Sequence, residues 1–171
     1  MHQYMGQDGS SFLLMSDGSK GEPVMTSGGK CPANAPVKKF DVSMINIEIS
    51  LNRWLDFYPG YMYVHTGDID KVRAEEAKNK AAREKEGFDP GAVTTGNQGD
   101  AIQPLVLRAN QGDCVKMTLR NQLEGEDGSL VIQASSMIVS ATGKPATTTN
   151  PDTVVSPGKT QDFEWYIHPS M

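Results

Sequence analysis

Cysteine and histidine are both scarce in these 171 residues: the chain carries Cys31 and Cys114, and His2, His65 and His168. Two cysteines are too few for a disulfide-dense scaffold, and without CxxC spacing they form no zinc or redox motif. Two readings stay open. The first is a pair of buried or unpaired thiols; the second is one bridge tying the N-terminal segment to the core, which requires an oxidising compartment. Long apolar runs are missing as well. No window approaches the roughly 18 apolar residues of a membrane span, and the N-terminus shows neither the charged start nor the apolar run of a secretory signal. No span is expected. Clustered positive charge is also lacking: the net charge is −5 and the basic residues are mixed with acids, so no stripe for phosphate stands out and nucleic acid is not an expected partner.

What is present is turn and strand grammar. Seventeen Gly and ten Pro beside a hydrophobic fraction of 37% favour a strand-rich, loop-rich chain over a helical bundle. Residues 1–39 read as an extended Gly/Ser/Pro-rich arm, with turns at Asp8-Gly9, Asp17-Gly18 and Gly28-Gly29 around the short apolar run Phe12 to Met15. Residues 40–171 read as one domain. Its strongest strand signal is Phe40 to Leu51, where Phe40, Val42 and Met44 alternate with polar residues, and then Ile45, Ile47, Ile49 and Leu51 do so in the opposite phase. Such a slip either turns the strand over or marks a bulge. The aromatic cluster Trp54, Phe57, Tyr58, Tyr61 and Tyr63 is expected to seal the edge of a core.

A helical insertion is expected at 68–87, capped by Asp68, stopped by Gly87, and supported by Glu76 and Lys80 four residues apart. Its thin apolar stripe of Ile69, Val72, Ala77 and Ala81 reads as a solvated helix on a surface. After a Gly-rich connector, short strands return. Leu105 to Arg108 leads to the turn Asn110-Gln111-Gly112-Asp113, then Cys114 to Asn121 sets Val115, Met117 and Leu119 on one face. Further runs cover Ser129 to Gln133, Met137 to Ala141 and Thr153 to Val155, and the last strand places Phe163, Trp165 and Ile167 together. This density of strands and turns predicts an antiparallel sandwich or barrel with Greek-key connections.

The stretch Pro104 to Leu123, a strand, a Gly-Asp turn and a strand ending Asn121-Gln122-Leu123, resembles the opening of a multicopper oxidase cupredoxin (plastocyanin-like) domain. Pro157-Gly158-Lys159-Thr160 followed by Phe163-Glu164-Trp165 is similar to the family's turn into the strand before its copper-binding histidines. Phe40 to Arg53 and Tyr61 to Val64 also resemble segments upstream of this domain in some bacterial members, so the likeness spans most of residues 40 to 168. It implies a cupredoxin-like Greek-key β-sandwich with one surface α-helix insertion, all-β in class. It also implies a copper-dependent oxidoreductase as the parent activity and a periplasmic or extracellular setting.

The same resemblance marks what is missing. The family's Ser-x-His-x-His-Gly corresponds here to Ser129 to Ser135, so Val131 and Gln133 occupy the ligand positions. Valine offers no donor, and a glutamine amide is a poor replacement for imidazole. The second histidine pair follows the last strand, and Trp165-Tyr166-Ile167-His168-Pro169 aligns with the strand that precedes it.

Three scattered histidines cannot furnish a three-copper cluster, and no histidine follows Cys114 closely enough for a mononuclear blue site. Cys114 and the spread methionines, Met62, Met117 and Met137 among them, read as core, His65 as hydrogen-bonded packing and His168 as an exposed terminal residue. Ser135 and Ser136 have no motif-spaced base, and Glu75-Glu76 is expected on the exposed side of the helix. The expectation is therefore a fragment or degenerate copy of a cupredoxin domain, holding no copper and not catalytic alone. A non-catalytic structural or interaction module is the alternative. Partners would be the remaining oxidase domains, or a second copy joined through open strand edges.

Overall fold

The computed structural model describes residues 3–5, 11–13, 30–52, 56–85, 90–97, 99–132 and 136–168. Within them the chain forms β1 (Gln3–Met5), β2 (Ser11–Leu13), β3 (Val37–Ser50), β4 (Phe57–His65), α1 (Ile69–Glu84), β5 (Cys114–Gln122), β6 (Gly128–Ser129), β7 (Ile138–Val139), β8 (Val154–Val155) and β9 (Thr160–Tyr166). Five of these make the main sheet in the order β4-β3-β5-β9-β7, while β6 pairs with β8 and β1 with β2. The chain is thus mostly sheet with one helix.

The phase slip in β3 is neither a bulge nor an inversion. Pairing with β4 runs unbroken from Val42↔His65 to Ser50↔Phe57, and pairing with β5 unbroken from Val37↔Cys114 to Ile45↔Gln122. What changes at Met44–Ile45 is which face is covered. Val42 and Met44 belong to one core with Val115, Met117, Leu119, Met137, Val139, Val155, Phe163 and Trp165. Ile45 and Ile47 belong to a second core, on the other face, with Val64, Val72 and Ile102. Successive side chains of a strand point to opposite faces, so a change of covered face requires a change of apolar phase.

The sheet is mixed, which corrects the antiparallel expectation: β3 and β5 are parallel, and the other pairings are antiparallel. A parallel pair needs a long crossover between its members. Here β4 returns the chain toward the end of the sheet where β3 began, and α1 lies within the connection that follows. The helix packs on the second core through Val72, fully buried, and Ile69, whereas Ala77 and Ala81 are exposed.

Local expectations for α1 also need revision. Asp68 stands at the N-cap position without a side-chain capping bond, and its carboxylate pairs instead with Lys71 at 2.6 Å. Glu76 bonds Arg73 and the Glu48 amide, while Lys80 reaches toward Glu84, so the Glu76–Lys80 pair does not form. Gly87, the expected stop, lies outside the described residues. Nor does the aromatic cluster seal a core: Phe57, Tyr58 and Tyr61 are about half exposed on edge strand β4, and only Tyr63 packs on the first core. Trp54 lies outside the described residues.

Candidate functional site

Asn121 joins the motifs that carry the family resemblance. Its buried amide donates to the carbonyls of Glu126 at 2.8 Å and Val155 at 2.7 Å, and its Oδ1 accepts from the Leu123 amide at 2.8 Å. Its backbone closes on the Pro157-Gly158 turn, accepting from Gly158 N–H and donating to the Lys159 carbonyl. A buried amide must be satisfied in this way, so an Asn-x-Leu strand end and a Pro-Gly turn distant in sequence form one structural joint. Gly158, with φ +74°, supplies the left-handed backbone that the turn needs.

Val131 is half-buried between Leu130 and Ile132, which pack against the first core, and Gln133 lies outside the described residues. His65 packs its ring 6.0 Å from Phe40, and its imidazole makes no hydrogen bond among the described residues. His168 is exposed, edge-on to Tyr166 at 5.9 Å, and His2 lies outside the described residues. Met117 and Met137 are buried in the first core, while Met62 is half-buried beside the second.

Ser135 lies outside the described residues, and no base bonds Ser136 among those described. Glu75 and Glu76 are not on a solvated face. Glu75 accepts from the Thr94 hydroxyl at 2.7 Å and from the amides of Ala101 and Ile102, and this pins the connector to the helix.

The cysteines correct the first reading of free thiols. Cys31 and Cys114 form a disulfide across 83 residues, with Cα atoms 5.5 Å apart. It fixes the segment ahead of β3 to the start of β5, where Cys114 N–H also donates to the Pro36 carbonyl. Glu164 on β9 is the third member of this group, its Oε1 accepting from Cys31 N–H at 3.1 Å. Among the described residues, Cys31, Cys114 and Glu164 are the group of metal-ligating side chains brought together, and it contains no histidine.

An apolar cleft of about 910 Å³ opens beside the first core. Phe40, Tyr63, Leu105, Leu107, Leu130 and Trp165 are among its walls. Leu105, Leu107 and Ala109 pack toward the first core, whereas Val106 and Arg108 are exposed. This is strand-like alternation, yet residues 105–109 join no ladder and their backbone makes no hydrogen bond among the described residues. At its rim the Tyr61 hydroxyl bonds Glu126 at 2.7 Å, and that bond raises the phenol's pKa. Burial raises that of Tyr63. The cleft presents mainly aliphatic and aromatic surface, the kind that binds apolar groups.

No protein-family model matches the chain, and no curated protein matches it.

Proposed function

We propose that this chain is a cupredoxin-like Greek-key sandwich module of multicopper oxidase type, a fragment or a degenerate copy, which holds no copper and is not catalytic alone. Its part in an oxidase is structural, and the remaining oxidase domains complete it. A second copy of the chain is the other source of strands for the same edge.

The observation that carries the reading is the apolar cleft beside the first core. The short β6–β8 ladder covers one part of the inner face through Val155, and beside it lies the open apolar cleft. Along that cleft, residues 105–109 alternate like a strand but pair with no other strand among the described residues. Unpaired backbone beside apolar surface is the form of a sheet edge that accepts another strand. The Asn121 joint supports the family likeness, because it accounts physically for both quoted motifs. The disulfide favours an oxidising compartment, in keeping with the periplasmic or extracellular setting the likeness implies.

A specific observation favours the interaction-module alternative: Leu51, Phe57, Tyr58 and Tyr61 expose apolar surface along one sheet edge. Either reading leaves copper unbound, and dialysis of the oxidised chain against copper tests this. Metal analysis after chelator washing is expected to find far less than one copper per chain. One tightly held copper with a blue or paramagnetic signal would overturn the proposal.

A further inference from the structure

We propose that the reduced chain binds one zinc-like divalent cation at Cys31, Cys114 and Glu164, a site closed while the disulfide is intact. The sulfur atoms and a Glu164 carboxylate oxygen all lie within 4.8 Å of one another. Two thiolates on one zinc sit about 3.8 Å apart, since Zn–S is about 2.3 Å and the angle near tetrahedral. The Cα separation of 5.5 Å lets two unlinked side chains relax to that spacing with little backbone movement.

Glu164 is held ready. It is mostly buried, and the Cys31 amide fixes Oε1 while Oε2 faces the half-exposed Lys116 ammonium at 3.6 Å. The Trp165 carbonyl oxygen lies 3.7 Å from Cys31 Sγ. Two thiolates and a carboxylate match a borderline-soft cation that accepts tetrahedral S and O ligands, and they leave one position for water.

Opening the site needs a dithiol reductant. Cys114 is 1% exposed and Cys31 half-buried, so attack falls on the Cys31 sulfur. This forms a mixed disulfide and releases Cys114 as thiolate. The reductant's second thiol then displaces Cys31 and closes as a cyclic disulfide. Two electrons have passed to the protein, and the dithiol's two protons go to the cysteine thiols. The cation later displaces those protons to water. Disulfide and metal site are therefore alternative states of the same two sulfurs.

The test is an anaerobic titration of Co(II), a spectroscopic substitute for zinc, into the full chain after reduction with a phosphine and its removal. One Co(II) per chain with a thiolate charge-transfer band is expected; zinc should displace it, and the oxidised chain should show no band. Glu164→Gln keeps an acceptor for the Cys31 amide but loses the anionic ligand. Its affinity should fall at least roughly tenfold, the loss that removing even an outer partner of a ligand causes.

Three results would each overturn the proposal: no band in a reduced chain that keeps its native circular dichroism, an equal affinity in strong urea, or an unchanged affinity in Glu164→Gln. If reduction unfolds the chain, zinc must restore the native spectrum, and failure to do so is equally fatal.

Discussion

Reducing the Cys31–Cys114 bridge perturbs the unfolded chain far more than the folded one. The closed loop spans 83 residues and contains β3, β4 and α1. Loop-closure entropy for that length corresponds to about 4.5 kcal/mol at room temperature in the chain-entropy account. Reduction leaves both side chains in place, so no cavity is created and the loop contribution stands almost alone. Urea unfolding with and without a phosphine reductant, both with a chelator present to keep the thiols metal-free, measures the difference. The reduced chain should unfold at a clearly lower midpoint. Its melting temperature should fall by roughly 9–18 °C, at the 2–4 °C per kcal/mol typical of chains this long. The urea slope should rise as well, because an uncrosslinked unfolded chain exposes more surface. Coincident transitions, with both thiols open to alkylation before reduction, would refute the bridge and with it the anchoring of residues 30–36.

Two further perturbations probe the sheet and its connector. Asp41 accepts two hydrogen bonds from Arg120, at 2.7 Å each, and these hold its carboxyl below the usual carboxylate range despite some burial. A folded-state pKa below the unfolded value, near 3.9 for aspartate, gives stability that is complete above that value and lost as pH falls through the lower folded one. Both side chains are two-fifths or more exposed, so the pair is worth only about 0.2–1 kcal/mol. Arg120→Ala should flatten the loss of stability on acidification below about pH 5 by that amount; equal slopes in urea midpoints would count against the pair. Glu75→Ala removes the acceptor shared by Thr94, Ala101 and Ile102 and should cost about 2–3 kcal/mol, since buried amides lose a charged partner. Hydrogen exchange at Ala101 and Ile102 should quicken, and unchanged protection would show that other contacts hold the connector.

Side-chain periodicity is local, so the sequence by itself determined β3, β5, β9, the helix and the Asn110–Asp113 turn, whose Asp113 carboxylate bonds the Asn110 amide at 2.8 Å. The scarcity of imidazole was equally plain. Strand direction, the face each residue meets and the partner of each cysteine depend on segments far apart in the chain. Only the tertiary structure could therefore set β3 parallel to β5, explain the phase slip by two cores on opposite faces, and bring Cys31 to Cys114 and Glu164. The same holds for Glu75, which looked like a solvated helix residue until Thr94, Ala101 and Ile102 folded back upon it. It holds too for residues 105–109, whose alternation is written in the chain but whose lack of a paired strand among the described residues follows from which neighbours the fold supplies.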